Sequence, residues 1–93
     1  MKYFDWDEEK NQWLIKSRGI SFEMCQVAIE EGKILDIVDG KYPYTHQRKF
    51  IVKIDNYAYV IPFVEDDFKI FFKTVYPSRK NNKKYLLGKE NNN

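Results

Sequence analysis

Three features of the 93-residue sequence predict an α+β fold, with an N-terminal strand and two helices on a mainly antiparallel sheet and a short C-terminal helix. Apolar residues recur at helical spacing between Trp6 and Ile29, which is the mark of helices buried along one stripe. From Gln47 the period changes to two, with Phe50, Val52 and Ile54 alternating against Ile51 and Lys53, as a half-buried strand requires. Hydrophobic residues make up 43% of the chain and aromatic ones 17%, so a small core can be filled by large rings at low side-chain entropy cost.

Lys2 to Trp6 reads as a short strand, and Asp5-Trp6-Asp7-Glu8 fits a capping box that opens the first helix. Trp6, Trp13 and Leu14 share one side of this region, and Gly19 stops the helix with a left-handed residue. Ser21 caps a second helix whose apolar face is Phe22, Cys25, Ala28 and Ile29, and Gly32 ends it. Ile34 to Val38 is strand-like, and Asp39 to Thr45, with Gly40 and Pro43, is an exposed loop. Two strands follow, joined at Asp55-Asn56, a pair that tolerates positive φ, and the second runs from Tyr57 to Val64. Glu65-Asp66-Asp67 turns the chain into a strand from Phe68 to Tyr76. Pro62 conflicts with a middle strand, because it has no N–H to donate, and it demands a bulge or a locally unpaired neighbour. Ser78 caps a last helix from about Arg79 to Leu87, and Gly88 with the Asn-rich tail reads as a frayed end. With no repeat or linker, residues 1–93 read as one domain. Both faces of the strands carry large apolar residues, so helices should cover one face and another segment part of the other. Trp6, Trp13, Phe22 and Phe72 are expected in the core, with Asp5 and Asp7 as caps.

A lone cysteine, Cys25, excludes an intrachain disulfide and a multi-cysteine zinc site, and with one histidine a metal site would rest mainly on carboxylates. No metal and no cofactor is expected. The N-terminus lacks a basic-then-apolar signal pattern and no apolar run approaches the roughly 18 residues of a membrane span, so the expected location is cytoplasmic, away from membranes. Charge is divided unevenly: residues 1–45 carry six Lys/Arg against nine Asp/Glu, and residues 46–93 carry ten against five. A basic segment interleaved with Tyr76 and Tyr85 suits a polyanion, since phosphates attract cations and bases stack on rings. Charge alone fits a solvated face equally well.

Four stretches in order resemble a known family. Phe4-Asp5-Trp6-Asp7-Glu8-Glu9-Lys10, then Arg18-Gly19-Ile20-Ser21-Phe22-Glu23, then His46-Gln47-Arg48, then Tyr76-Pro77-Ser78-Arg79-Lys80 are similar to the BrnT toxin family over about residues 3–86. That resemblance implies a RelE-like fold and a ribonuclease that arrests growth by cutting RNA. It also implies a cognate DNA-binding antitoxin, typically ribbon-helix-helix, through which alone operator DNA would be bound. Two departures stand out. Ser17-Arg18-Gly19 replaces the family's Lys-His-Gly, and Asn81-Asn82 replaces an Ala-Thr.

RNA cleavage without a metal uses the substrate's 2′-hydroxyl as nucleophile. The protein must ease its deprotonation, stabilise charge on phosphorus and protonate the leaving 5′-oxygen. His46, the only histidine, has an intrinsic pKa suited to proton transfer, or it simply orders the Pro43 loop. Arg48 and Arg79 are candidate phosphate clamps through their planar guanidinium groups, and Arg79 lies in the closing motif at a helix start. Lys80 completes the expected catalytic set, while Lys83 and Lys84 add field. Tyr44, Tyr76 and Tyr85 are candidates for stacking on bases or for proton donation, against packing roles. Glu65 is either a general base or part of a solvated turn. This assignment requires His46, Arg48 and Arg79 to converge on one concave surface. A module that holds RNA or the antitoxin without cutting would use the same residues.

Overall fold

In a computed structural model, which describes residues 2–87, the chain runs β1 (Tyr3–Asp5), α1 (Glu8–Arg18), α2 (Phe22–Glu30), β2 (Ile34–Asp39), β3 (Arg48–Ile54) and β4 (Tyr57–Glu65). It continues through β5 (Lys69–Phe72), β6 (Tyr76–Pro77) and α3 (Arg79–Asn82), which passes into a π-helical turn over Lys83–Leu87. The fraying expected from Gly88 lies outside the described residues. The strands form one sheet in the order β1-β5-β4-β3-β2, in which β1 runs parallel to β5 and β6 pairs with β4 beyond β5. The expected α+β fold is therefore observed. Among the described residues no helix is long and apolar enough to cross a membrane.

The helix ends follow local chemistry. Asp7, rather than Asp5, caps α1: its carboxylate accepts from the Glu9 N–H at 2.9 Å, while Asp5 accepts from the Trp6 N–H. Gly19 closes α1 at φ 67°, where a side chain would be strained. Ser21 caps α2 by accepting from the Met24 N–H. Between the helices, buried Asn11 accepts from the Phe22 N–H at 2.7 Å and donates to Glu23 at 2.8 Å, which fixes the angle of α2 against α1.

α1 and α2 cover one face of the sheet. Leu14, Phe22 and Cys25 meet Phe50, Val52, Ile61 and Phe63 there, and burial pushes the Cys25 thiol up to about 12, leaving it a small inert hydrophobe. Phe72 sits within stacking distance of Phe4, Trp6 and Phe22, at 5.3, 6.0 and 5.9 Å between ring centroids. Trp13 departs from expectation. It lies one residue before buried Leu14 on α1, is 47% exposed, and has Lys10 and Arg18 over its ring instead of core neighbours.

The β3–β4 hairpin turns at Asp55 and Asn56, both left-handed (φ 52° and 63°), as two-residue hairpins with right-handed strand twist prefer. The strand expected over Phe68–Tyr76 is split. Phe68 is exposed outside it, and Lys73-Thr74-Val75 breaks it into β5 and β6, each pairing with a different part of β4. Neither is in register with Ile61 or Pro62, so the missing N–H of Pro62 falls at the gap, where the Pro62 carbonyl accepts from Lys73 N–H at 2.8 Å. The helix expected over Arg79–Leu87 is a single α-turn followed by the π-turn.

Asn11→Ala is expected to cost about 2 kcal/mol in urea unfolding, because it leaves the Phe22 N–H buried without an acceptor. Trp13→Ala should cost under about 1 kcal/mol, as for most surface changes. Equal losses would show that Asn11 does not hold the helix junction.

Candidate nucleic-acid interface

Strand alternation divides β3 between two surfaces. Phe50, Val52 and Ile54 face α1 and α2; Lys49 and Ile51 face the other way, beside Val38, Val60 and Pro62 through the register pairs Lys49↔Val38, Ile51↔Val60 and Lys49↔Pro62. This second face is open except where α3 and the π-turn fold back over it. The recess between them has a volume of about 320 Å³. Ile51 and Val60 form its floor, Lys49, Lys41 and the carboxylate of Asp39 line it from β2, β3 and the loop between them, and Tyr76, Lys80, Lys84 and Tyr85 line it from the returning segment.

The returning segment is fixed by bonds along the free start of β4. Ser78 N–H donates to the Ala58 carbonyl, and the Ala58 N–H donates to the side chain of buried Asn82 at 3.0 Å. Both backbone groups of Ala58 are thus satisfied by α3, in place of a longer strand. Ser78 also caps α3 by accepting from the Asn81 N–H. With Asn82 turned toward β4, Lys80 and Lys84, four residues apart, face the recess. Arg79 and Lys83, also four apart, line a separate recess with Tyr57, Asn82 and Leu87.

Of the expected site residues, the fold brings Lys80, Lys84, Tyr76 and Tyr85 together, and it does not bring Arg48 and Arg79 to one surface. Arg48 lies on the helix-bearing face, 5.9 Å from the Phe63 ring, in ion pairs with Glu65 at 3.3 Å and Asp39 at 3.5 Å. Arg79 shares its recess with Tyr57, which pairs with Ile54 at the far end of β3 from Arg48. Six residues of strand separate the two ends, about 20 Å. His46 and Tyr44 are exposed in the loop after Gly40, the loop that supplies Lys41 to the groove, and His46 makes no hydrogen bond among the described residues. Glu65 is a poor base: a hydrogen bond from Lys2 at 2.7 Å, with Arg48 beyond, holds its carboxyl below the ordinary range.

Reading the sequence missed Lys41 and Lys49. The signal for Lys49 lay in the alternation itself, since a core formed by Phe50, Val52 and Ile54 puts Arg48 on their side and Lys49 on the other. Nothing local marks Lys41. Its place depends on Gly40, where a Cβ would meet the Gln47 carbonyl at 2.5 Å and overlap that of Tyr44.

Tyr85 latches the π-turn to the sheet edge. Its hydroxyl donates a short hydrogen bond to Asp36 on β2. That bond, with the Ile37 N–H, lowers the Asp36 carboxyl from its ordinary 3.8, and the same bond raises the Tyr85 phenol above 10.0. Lys84 lies 5.1 Å from the Tyr85 ring centroid. Asp36 therefore stays ionised and keeps its negative charge at the sheet edge beside the recess.

Comparison with solved structures gives the fold a relative. The chain shares its fold with YafQ. The crystal structure of YafQ from E. coli strain BL21(DE3) superimposes with a TM-score of 0.54 at 9% identity, covering 87% of this chain and 98% of YafQ. A histidine-to-glutamine variant of E. coli YafQ gives 0.52 at 10% identity over the same shares. The RelE-like architecture implied by the BrnT resemblance is therefore present, and at this identity the likeness to YafQ concerns the fold alone. No protein-family model matches the chain, and no curated protein matches it.

The latch has a defined pH dependence. Because the folded pKa of Asp36 is lowered, its contribution is present above about pH 3.8 and disappears as pH falls through the lower folded value; the raised pKa of Tyr85 keeps it until pH rises past 10.0. Tyr85→Phe should lower Tm by a few degrees at neutral pH, and the difference from wild type should vanish at pH values well below 3.8. A difference that persists in acid would mean that the Tyr85 hydroxyl stabilises the fold without the Asp36 charge.

Proposed function

We propose that this protein is the toxin of a bacterial type II toxin–antitoxin pair: an endoribonuclease that cuts RNA without a metal ion and is neutralised by a DNA-binding antitoxin of the ribbon-helix-helix kind. The observation that carries the reading is the groove on the open sheet face, where Lys41, Lys49, Lys80 and Lys84 surround an apolar floor and two phenols stand on its rim. Such a surface attracts a phosphodiester and offers rings for a splayed base. The BrnT resemblance supports the same reading, since the fold it implies is the one the chain shares with YafQ.

The chemistry follows from the groove. The 2′-oxygen of the substrate attacks the adjacent phosphorus, the bond to the 5′-oxygen breaks, and a 2′,3′-cyclic phosphate forms. Lys80 and Lys49, on opposite sides, stabilise the extra negative charge on the non-bridging oxygens. Tyr76, whose hydroxyl donates no hydrogen bond among the described residues, protonates the leaving 5′-oxygen. His46, in the loop that carries Lys41, accepts the 2′-proton. Tyr85 is committed to Asp36 and serves as a wall of the site, with Lys84 adding field. Arg79 and Lys83, on the outer side of α3, hold flanking phosphates. Tyr44, exposed in the loop that carries Lys41, offers a ring to a neighbouring base, while Arg48 stays in its ion pairs with Glu65 and Asp39 on the helix-bearing side. An RNA substrate and an antitoxin partner put this activity in the cytoplasm.

Purified protein should cleave single-stranded RNA in EDTA. Lys80→Ala and Lys49→Ala should each lower kcat/KM about a hundredfold, the usual cost of removing one group that stabilises developing charge. Arg79→Ala should act mainly on KM and change kcat less than about threefold. A large kcat loss in Arg79→Ala with none in Lys80→Ala would move the chemistry to the other side of α3. Salt-sensitive binding of RNA that stays intact would make the protein a binding module.

A further inference from the structure

The face opposite the helices extends past the groove. Val60 and Pro62, both buried, and half-buried Val64 lie along it at two-residue intervals of β4, and at its far end Val64 pairs with Phe71 of β5. Phe71 is half-buried and points away from Phe72, which fills the core on the opposite side. Two ammonium groups flank its ring, Lys69 at 5.8 Å and Lys73 at 5.7 Å from the centroid. Lys69 is also paired with Asp5 at 3.4 Å. Lys73 is exposed and has no carboxylate partner among the described residues. Glu65, the nearest acid along β4, is occupied by Lys2 and Arg48.

An aromatic face set between cations on a strand is the arrangement that single-stranded nucleic acid uses for base stacking with phosphate neutralisation. We propose that Phe71 is a stacking platform for a base flanking the scissile step, with Lys73 holding the phosphate beside it. This rests on the ribonuclease reading of the groove and names its substrate as unpaired RNA laid across the sheet. Tyr76 pairs with Val60 and Phe71 with Val64, four residues farther along β4, so the two rings stand about 13 Å apart along the strand. At a stacked spacing of about 3.4 Å per step, a strand reaching both spans about four steps and needs about five nucleotides. A dinucleotide would reach only the groove. Between them Pro62 is buried and Val64 half-buried and apolar, so the path is held at its two ends.

The test compares cleavage of an unpaired hexanucleotide with that of a dinucleotide. Wild type should favour the hexanucleotide in kcat/KM by about tenfold or more. Phe71→Leu, which keeps the apolar contact with Val64 but loses the ring, should remove about tenfold of that preference through KM with kcat retained. Lys73→Ala should remove part of it, and Phe71→Tyr should restore it. An unchanged preference in folded Phe71→Leu would overturn the platform, and would be the result if this ring served a protein partner instead. If wild type cuts neither substrate, the ribonuclease reading falls. Fluorescence anisotropy of the labelled hexanucleotide then decides the platform separately: weaker binding by Phe71→Leu supports it and equal binding overturns it.

Discussion

Pro62 stands in the central strand with no N–H to offer. In an antiparallel strand a residue's N–H and C=O point to the same side, and the Pro62 carbonyl meets Lys73 on the side away from β3. That outer edge therefore cannot carry one unbroken partner. Two short strands share it, β5 against Phe63 to Glu65 and β6 against Tyr59 and Val60. The three residues between them redirect the chain, so that Tyr76 returns beside Val60 and Ser78 starts a helix across the open face. Without this break, one straight strand would run along β4, and nothing would bring Lys80 and Lys84 opposite Lys49.

The break is held from the helical side as well. Val75 is fully buried, and its carbonyl accepts from the Arg18 guanidinium in the last turn of α1 at 2.8 Å. Arg18, at the end of α1, thus has a structural use here. Asn82 has one too, since its side chain closes the backbone of Ala58. The aromatic cluster around Phe72 joins these parts, because it touches β1, the start of α1 and α2 together; such ring pairs add about 0.5–1.5 kcal/mol each beyond buried area.

Charge is sorted by the same architecture. Lys2, Glu65, Arg48 and Asp39 form a chain of ion pairs that reaches from the N-terminus across β4 and β3 to β2, with Glu65 and Arg48 each paired twice. These pairs are partly exposed and contribute little stability singly. Their effect is on placement, since they keep the stronger cation of the β3 start and the acid of the β4 end occupied with each other. Asp36 is engaged by Tyr85 and Asp5 by Lys69. Around the groove Lys41, Lys49, Lys80 and Lys84 outnumber the carboxylates of Asp36 and Asp39, so its net charge is positive.

Helix caps at Ser21 and Ser78, the left-handed stop at Gly19, the Asp55-Asn56 hairpin and the need for a gap at Pro62 were legible in the sequence, because each is a matter of backbone chemistry within a few residues. So was the basic character of the second half. The face was misread for the two arginines: of the neighbours Arg48 and Lys49 it is the lysine that reaches the groove, and of Arg79 and Lys80, both expected in the site, only the lysine does. For β3 the alternation already contained the answer. For α3 it did not, because the rotation of so short a helix is set by the Asn82 to Ala58 bond, across 24 residues of chain. Composition fixes how many charges a surface can have; only the docking of helix on strand decides which of them share a site.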